Sequence, residues 1–312
     1  MTRRYANMDG SVPDNGFGDV LKWQVLDRIA GRKRDGGGPF VTPRRDNDGA
    51  AVAADRPSLT WVGHASLLLR LSGSLIATDP VFASRMGPRR RLTPPGVPPS
   101  RIPPVDIVTV SHSHYDHLDL PSLRHLASRG SSRFVVPTDC GEILRASGID
   151  EVVELGWWES IEIGAVRVTC VPAQHWSMRV PWDRNARLWG GFVYESADGV
   201  AYHAGDTAFS EQVFRAIADR FPRIDWAMLP IGAYDPTWFM AAQHMGPEDA
   251  GRAWAILGAR NLVAMHWGTF KLTDEPVGEP PVRMRRWFAD HGHPEDRLWV
   301  LDVGETRDLR QA

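Results

Sequence analysis

The sequence predicts an α/β fold of layered, antiparallel-to-mixed sheets, and three observations carry that prediction. Short apolar runs of β character alternate with helix-length segments from residue 58 onwards, the pattern of strand–helix units around a sheet. Three of these runs, 168–175, 201–206 and 262–266, end on a His or an Asp, and strand ends are where a layered sheet turns side chains into a cleft. The chain has 312 residues and is 43% hydrophobic, enough to bury a substantial core as one large domain or two fused halves.

Composition also excludes. A net charge of −2 provides no general attraction to nucleic acid. Two cysteines, Cys140 and Cys170, make no disulfide framework and point to reduced thiols. No apolar run reaches the ~18 residues of a membrane span, and the opening Met-Thr-Arg-Arg-Tyr-Ala-Asn lacks the apolar centre of a secretion signal. The expected location is cytoplasmic, either free or peripheral to the inner face of a membrane.

In chain order, residues 1–57 read as an N-terminal extension. Residues 1–16 carry Gly, Pro, Asp and Asn without periodicity, as a disordered or surface-draped segment does. Phe17, Val20, Leu21, Val25, Leu26 and Ile29 then fall at helical spacing, with Arg28, Arg32, Lys33 and Arg34 at the far end. This amphipathic helix either packs on the domain or touches a membrane through residues 17–34, with Trp23 and the basic tail as anchors. Gly36, Gly37, Gly38 and the polar stretch to residue 56 read as a flexible linker. Residues 58–312 form the main domain. It opens with a meander over 59–62, 66–71 and 75–78. Residues 85–104 set five arginines among seven prolines, a composition that excludes regular structure. A helix over 121–128, a strand at 133–136, a helix at 141–146, a strand at 152–155 and a second meander over 161–171 follow. The helices at 210–220, 247–257 and 282–290 each follow a strand. Residues 176–189 hold three tryptophans and three arginines without period, and read as a loop over the cleft entrance.

The chemistry concentrates in Ser111-His112-Ser113-His114-Tyr115-Asp116-His117, directly after the apolar run 105–110. Three imidazoles and a carboxylate so close together exceed what a core requires. Alternation at a strand end sends His112 and His114 the same way, and the turn into the next helix swings Asp116 and His117 towards a second point. Imidazole and carboxylate are the ligand set for zinc, with manganese or iron as alternative occupants. A pair of ions needs more ligands than one loop offers. His175, Asp206 and His266, at the three strand ends, are the candidates to complete it. Asp79, closing a strand, is expected to orient a ligating imidazole from behind. His64, in a Gly-His-Ala-Ser turn, either faces the cleft or stabilises the turn.

The order His-x-His-x-Asp-His, His, Asp, His resembles the metallo-β-lactamase superfamily of binuclear hydrolases. Ser111 to Asp119, Pro172-Ala173-Gln174-His175-Trp176, Ala204-Gly205-Asp206-Thr207, the stretch from Leu229 to His244 and His266-Trp267-Gly268-Thr269-Phe270 look like its N-acylphosphatidylethanolamine-hydrolysing phospholipase D group. Thr60-Trp61-Val62-Gly63-His64-Ala65 and Thr78-Asp79-Pro80 add to the likeness, which spans residues 58–305. The resemblance implies a four-layer αββα sandwich, two mixed sheets packed face to face with helices outside. It implies two Zn2+, or Mn2+ or Fe2+ in their place, with His112, His114 and His175 on one ion, Asp116, His117 and His266 on the other, and Asp206 bridging. Catalysis is then expected to fall to Asp116, Asp206 and His266. The implied reaction is attack of a metal-bridging hydroxide on the phosphorus of N-acylphosphatidylethanolamine-like lipids, Asp206 or a metal-bound water protonating the leaving alkoxide. A homodimer is implied by analogy alone. Departures from the animal pattern lie in a shorter 84–95 segment and a different N-terminal region, parts that shape the lipid entrance.

Tyr115, Gln174, Trp176, Arg179, Tyr234, Gln243 and His244 are the candidate substrate contacts. Aromatic faces suit acyl or glycerol carbons, guanidinium suits phosphate, and His244 can donate to a phosphate oxygen; each also has a packing alternative. A lactonase or other ester hydrolase acting on a small soluble substrate is the alternative enzyme, since the same nucleophile attacks carbonyl carbon. A non-catalytic binding protein is the alternative outside enzymes, and the seven filled ligand positions argue against it.

Overall fold

The computed structural model describes residues 4–13, 16–31 and 40–311. Two seven-stranded sheets form its centre. In the first, Thr306–Asp308, Ser58–Gly63, Ser66–Leu71, Ser74–Thr78, Ile107–Thr109, Arg133–Pro137 and Val152–Leu155 lie side by side in that order. The second runs Leu298–Trp299, Asn261–Met265, Trp226–Pro230, Gly199–His203, Gly191–Ser196, Val166–Val171 and Ser160–Ile163. Each sheet is antiparallel where strands follow one another through tight turns. Each turns parallel where a longer crossover intervenes, the irregular segment 79–106 between Ser74–Thr78 and Ile107–Thr109 or a helix between Trp226–Pro230 and Asn261–Met265, because a parallel pair requires a crossover.

Alternation sorts the side chains into layers. Leu67, Leu69 and Leu71 point inwards and join Leu59, Trp61 and Ile107 against Val168, Phe192, Tyr194 and Leu229 of the facing sheet. Leu68, Leu75, Val108 and Phe134 point outwards, beneath Leu123, Leu126 and Leu144 of the covering helices Leu120–Ala127 and Gly141–Arg145. The helices Glu211–Arg220, Pro247–Leu257 and Glu279–Asp290 cover the second sheet in the same way. The result is the expected αββα sandwich. Full burial contributes ~1.5–3 kcal/mol for each Leu or Phe, so the seam between the sheets is the main stabilising block.

Three stretches depart from expectation. The proline-dense segment 85–104 contains a small hairpin, Arg85–Met86 with Arg89–Arg90. Its turn rests on Gly87 at φ +56°. The buried Arg91 guanidinium donates to the carbonyls of Thr93, Val81 and Val62 at 2.8, 2.8 and 3.0 Å. Proline bars long elements, but a two-residue pairing survives once a guanidinium binds the flanking carbonyls.

The second departure is the N-terminal helix. The turns Phe17–Leu21, Lys22–Leu26 and Asp27–Ile29 run on without a break, the middle one π-helical. The helix packs on the domain through one aromatic residue, not through its apolar stripe. Trp23 is buried, its ring tilted against Phe239 with centroids 4.9 Å apart and its indole N–H donating to Asp274 at 2.6 Å. Val20, Leu21, Val25, Leu26 and Ile29 stay exposed, Ile29 at 80%. Arg32, Lys33 and Arg34, and the glycines 36–38 of the expected linker, lie outside the described residues.

The third is the remainder of that linker, which is fastened down. The Thr42 hydroxyl donates to the Gly268 carbonyl, Arg44 bridges to Val303, and Asn47 donates to the Gly304 carbonyl at 2.8 Å. Among the described residues no helix is long and apolar enough to cross a membrane.

Cys140 and Cys170 are buried and unpaired with each other. Burial pushes the Cys140 thiol up to about 12 and that of Cys170 upwards as well, since a thiolate loses its hydration there. The folded protein is expected to give no reaction with an aromatic disulfide reagent at mildly alkaline pH, and two titrating thiols after denaturation. Rapid reaction of either cysteine in the native state would contradict this.

Candidate metal centre

The strand Ile107–Thr109 ends beneath the second sheet, and the chain then turns tightly through His112 to Leu118. The amides of His117 and Leu118 donate back to the His114 carbonyl at 3.2 and 2.8 Å. Asp119 then caps the helix Leu120–Ala127, its carboxylate accepting from the Ser122 amide at 3.2 Å. This turn folds the four polar side chains into one small volume. Asp206 enters from the second sheet behind Gly205, whose φ of +60° and close approach leave no room for a side chain: a Cβ there would lie 2.6 Å from the Ser111 Cβ. His266 arrives from the end of Asn261–Met265 with φ +63°.

Two groups of donor atoms result. His112 Nε2 lies 2.8 Å from His114 Nδ1, which is 3.3 Å from His175 Nε2. Asp116 Oδ2 lies 3.7 Å from His117 Nε2 and 3.8 Å from His266 Nε2. Asp206 stands between the groups: its Oδ2 is 3.1 Å from His117 Nε2 and 3.9 Å from His112 Nε2 and His175 Nε2, and its Oδ1 is 3.0 Å from His266 Nε2. Donor atoms of one tetrahedral zinc are about 3.3 Å apart when the bonds are ~2.0 Å, and both groups come close to that edge length. The buried His117 Nε2, His266 Nε2 and Asp206 Oδ1 carry no hydrogen bond in the protein, the condition of atoms that serve a cation. The residues present therefore fit two metal ions.

The other side of each ring is held. His117 Nδ1 meets Asp79 Oδ2 at 2.7 Å, and His175 Nδ1 donates to the Gln243 carbonyl at 2.7 Å. His112 Nδ1 lies 2.9 Å from the Ser111 hydroxyl, which itself donates to Asp79 at 2.6 Å. These contacts select the tautomer that turns the Nε2 lone pair inwards. Burial, followed by the neighbouring imidazoles, keeps His112 and His175 well below the ordinary imidazole range, and burial brings His114 to about 4. These shifts disfavour a proton on the three rings. Burial opposes charge on Asp116 and Asp206, yet the imidazoles around them, His117 foremost, hold both carboxyls well below the usual range. Burial also opposes charge on His117 and His266, but Asp206 and Asp116 raise both, His266 to about 9.

A cavity of about 630 Å³ opens onto this cluster, lined by His114, Asp116, Asp206 and His244 at its base and by Trp23, Trp176, Phe239, Met240 and Leu272 along its wall. Of the candidate substrate contacts, Tyr115, Trp176, Arg179, Gln243 and His244 line it. Arg179 is engaged: it donates to the carbonyls of Ser113 and Leu118 at 3.0 and 2.9 Å and lies 4.1 Å over the Tyr115 ring, bracing the ligand loop. Trp176 packs edge-on against His114 at 4.6 Å. His244 Nδ1, buried without a hydrogen bond, is 3.9 Å from Asp206 Oδ2.

Two candidates lie elsewhere. Gln174 turns to the N-terminal segment and donates to Ser11 at 2.9 Å and Asp9 at 3.3 Å. Tyr234 turns to the helix Glu279–Asp290, its hydroxyl donating to Glu279 at 2.9 Å with Arg283 4.6 Å over its ring. The Gln174 amide N–H and the Tyr234 hydroxyl thus donate to acidic partners away from the cavity. In the loop 176–189, Arg187 pairs with Asp183 and Trp189 is buried, while Trp182 is exposed.

Of the two readings of His64, facing the cleft is the one the structure takes: its Nε2 lies 3.1 Å from Asp116 Oδ2. Two further contributors carry no sequence signal for the site. Asn7 is buried and its side-chain oxygen accepts from the His175 amide at 3.0 Å, and no periodicity marks it. Trp23 lines the cavity from the N-terminal helix.

The chain belongs to the metallo-β-lactamase superfamily, a class of metal-dependent hydrolases: residues 75–267 match the beta-lactamase superfamily domain. Among its relatives is N-acyl-phosphatidylethanolamine-hydrolyzing phospholipase D 1 of Caenorhabditis elegans, 34% identical over 264 residues, which cover 79% of this chain and 74% of that protein. This relative puts the chain in the superfamily's phospholipase D-like group. An uncharacterized protein of Mycobacterium tuberculosis is 36% identical over 275 residues, 85% of this chain and 72% of the relative. In fold, isothiocyanate hydrolase from Delia radicum gut bacteria superposes with a TM-score of 0.65 at 20% identity, over 80% of this chain and 98% of that structure.

Proposed function

We propose that this chain is a two-metal phosphodiesterase of phospholipase D type, with zinc as the natural occupant, acting on N-acylphosphatidylethanolamine-like lipids. The observation that carries the reading is the apolar cavity ending on the Asp116–Asp206 carboxylates. A substrate with a phosphodiester at one end and long hydrocarbon at the other matches those two surfaces. The named activity of the Caenorhabditis elegans relative supports the same substrate class.

When bound, the metals supply charge to the phosphoryl oxygens and acidify a water. The protein's own groups do the rest. Asp79, Ser111 and the Gln243 carbonyl lock three imidazoles. Trp23, Trp176 and Phe239 wall the cavity and exclude water. Burial holds His244 down at about 4, so its neutral ring can donate to a phosphoryl oxygen from the cavity base. Water adds to phosphorus and the bond to the ethanolamine oxygen breaks, giving phosphatidic acid and N-acylethanolamine. The exposed Val20, Leu21, Val25, Leu26 and Ile29 lie on the same helix as Trp23 and would rest on the lipid surface that delivers the substrate.

The test is incubation of zinc-loaded protein with N-acylphosphatidylethanolamine in detergent micelles, with products identified by mass spectrometry. Phosphatidic acid together with N-acylethanolamine is the expected result. Turnover of soluble phosphodiesters or lactones with no lipid product would discard the lipid and favour the small-ester reading.

A further inference from the structure

His64 touches the metal centre twice, and both contacts go to the same half of it. Its ring Nε2 lies 3.1 Å from Asp116 Oδ2. Its carbonyl accepts from the His266 amide at 3.0 Å, and its ring packs 4.0 Å from the His266 ring. The His112, His114 and His175 group receives no hydrogen bond from it among the described residues.

The residue is itself pinned on every side. Its amide donates to the Thr269 hydroxyl at 2.6 Å, and its carbonyl also accepts from the Trp61 indole at 2.9 Å. The ring is 1% exposed, and Nδ1 has no hydrogen-bond partner. The backbone stands at φ +57°, in the left-handed region that is unfavourable for a residue with a β-carbon. A turn that merely needed that conformation would be served by Gly or Asn. Burying an imidazole with one ring nitrogen unsatisfied adds a further cost. What the ring does in return is hold a carboxylate oxygen of Asp116 at 3.1 Å, the shortest contact that oxygen makes to an imidazole of the site.

Building on the two-metal reading, we infer that His64 is a positioning residue for one metal position only: it fixes Asp116 through its ring and His266 through its backbone, and so sets the affinity of the Asp116–His117–His266 position. A hydrogen bond behind a ligating group typically changes metal affinity about 10–100-fold.

The experiment is cobalt titration of metal-stripped protein, followed by visible absorption and by bound metal after gel filtration. His64→Asn is the loss variant: Asn tolerates the left-handed backbone but is too short to reach Asp116. His64→Gln is the rescue variant, because its amide N–H ends near the imidazole Nε2 position. The wild type is expected to take up two equivalents. His64→Asn should take up one with unchanged affinity and bind the second about 10–100-fold more weakly, at a melting temperature close to wild type, and His64→Gln should recover most of the second affinity. Wild type binding fewer than two equivalents would defeat the two-metal reading itself. With two in the wild type, equal binding by His64→Asn would overturn the positioning role. Equal failure of both variants would overturn it too, making His64 a direct ligand.

Discussion

Replacing Asp206 by Asn is expected to lower turnover by at least about 10³-fold, ~4 kcal/mol at the transition state, with the fold intact. Asp206 reaches both donor groups, with Oδ2 3.9 Å from His112 Nε2 and His175 Nε2 on one side and Oδ1 3.0 Å from His266 Nε2 on the other. An amide keeps the shape but removes the charge and turns an NH₂ towards an imidazole nitrogen or a cation, where an acceptor is required. Gly205 and its contact with Ser111 are untouched, so the backbone has no reason to move. Steady-state kinetics with metal content measured on the same sample decides the matter. Wild-type rates at full metal loading would remove Asp206 from the bridging role.

The second large effect is on stability. Trp61 is wholly buried between the sheets, stacks on Trp267 at 5.3 Å and donates to the His64 carbonyl at 2.9 Å. Trp61→Ala is expected to cost about 3–5 kcal/mol through the cavity it leaves. At ~2–4 °C per kcal/mol for a domain of this size, that lowers the melting temperature by roughly 6–20 °C. Trp61→Phe keeps the stacking and loses one hydrogen bond, ~1 kcal/mol, since the His266 amide still serves the His64 carbonyl. Calorimetric melts of the two variants separate packing from hydrogen bonding. An Ala variant as stable as the Phe variant would refute the packing account.

Much of the scaffold was legible because its signals are local. Alternating apolar residues at Leu67 to Leu71 specify which face is buried, and Ser210 before Glu211–Arg220 and Gly258 after Pro247–Leu257 mark helix ends by capping chemistry that needs no distant partner. The spacing of His112, His114, Asp116 and His117 announced a metal-type turn for the same reason. Direction was harder to read. Tyr234 and Gln174 flank functional motifs, yet each turns to a charged partner on another segment, Glu279 and Asp9. The apolar stripe of the N-terminal helix has a helical period, but period alone does not say whether protein, solvent or lipid meets it.

The sequence by itself determined the fold class, the main helices, the strands that lead to the site, and the kinds of donor atoms the strand ends carry. The tertiary structure decided which ring nitrogens face one another, that His64 joins Asp116 across 52 residues, and that Asn7 reaches His175 across 168. The physical reason is that periodicity and turn chemistry act over a few residues, whereas the satisfaction of a buried polar group depends on whichever segment the packed sheets bring within hydrogen-bonding distance.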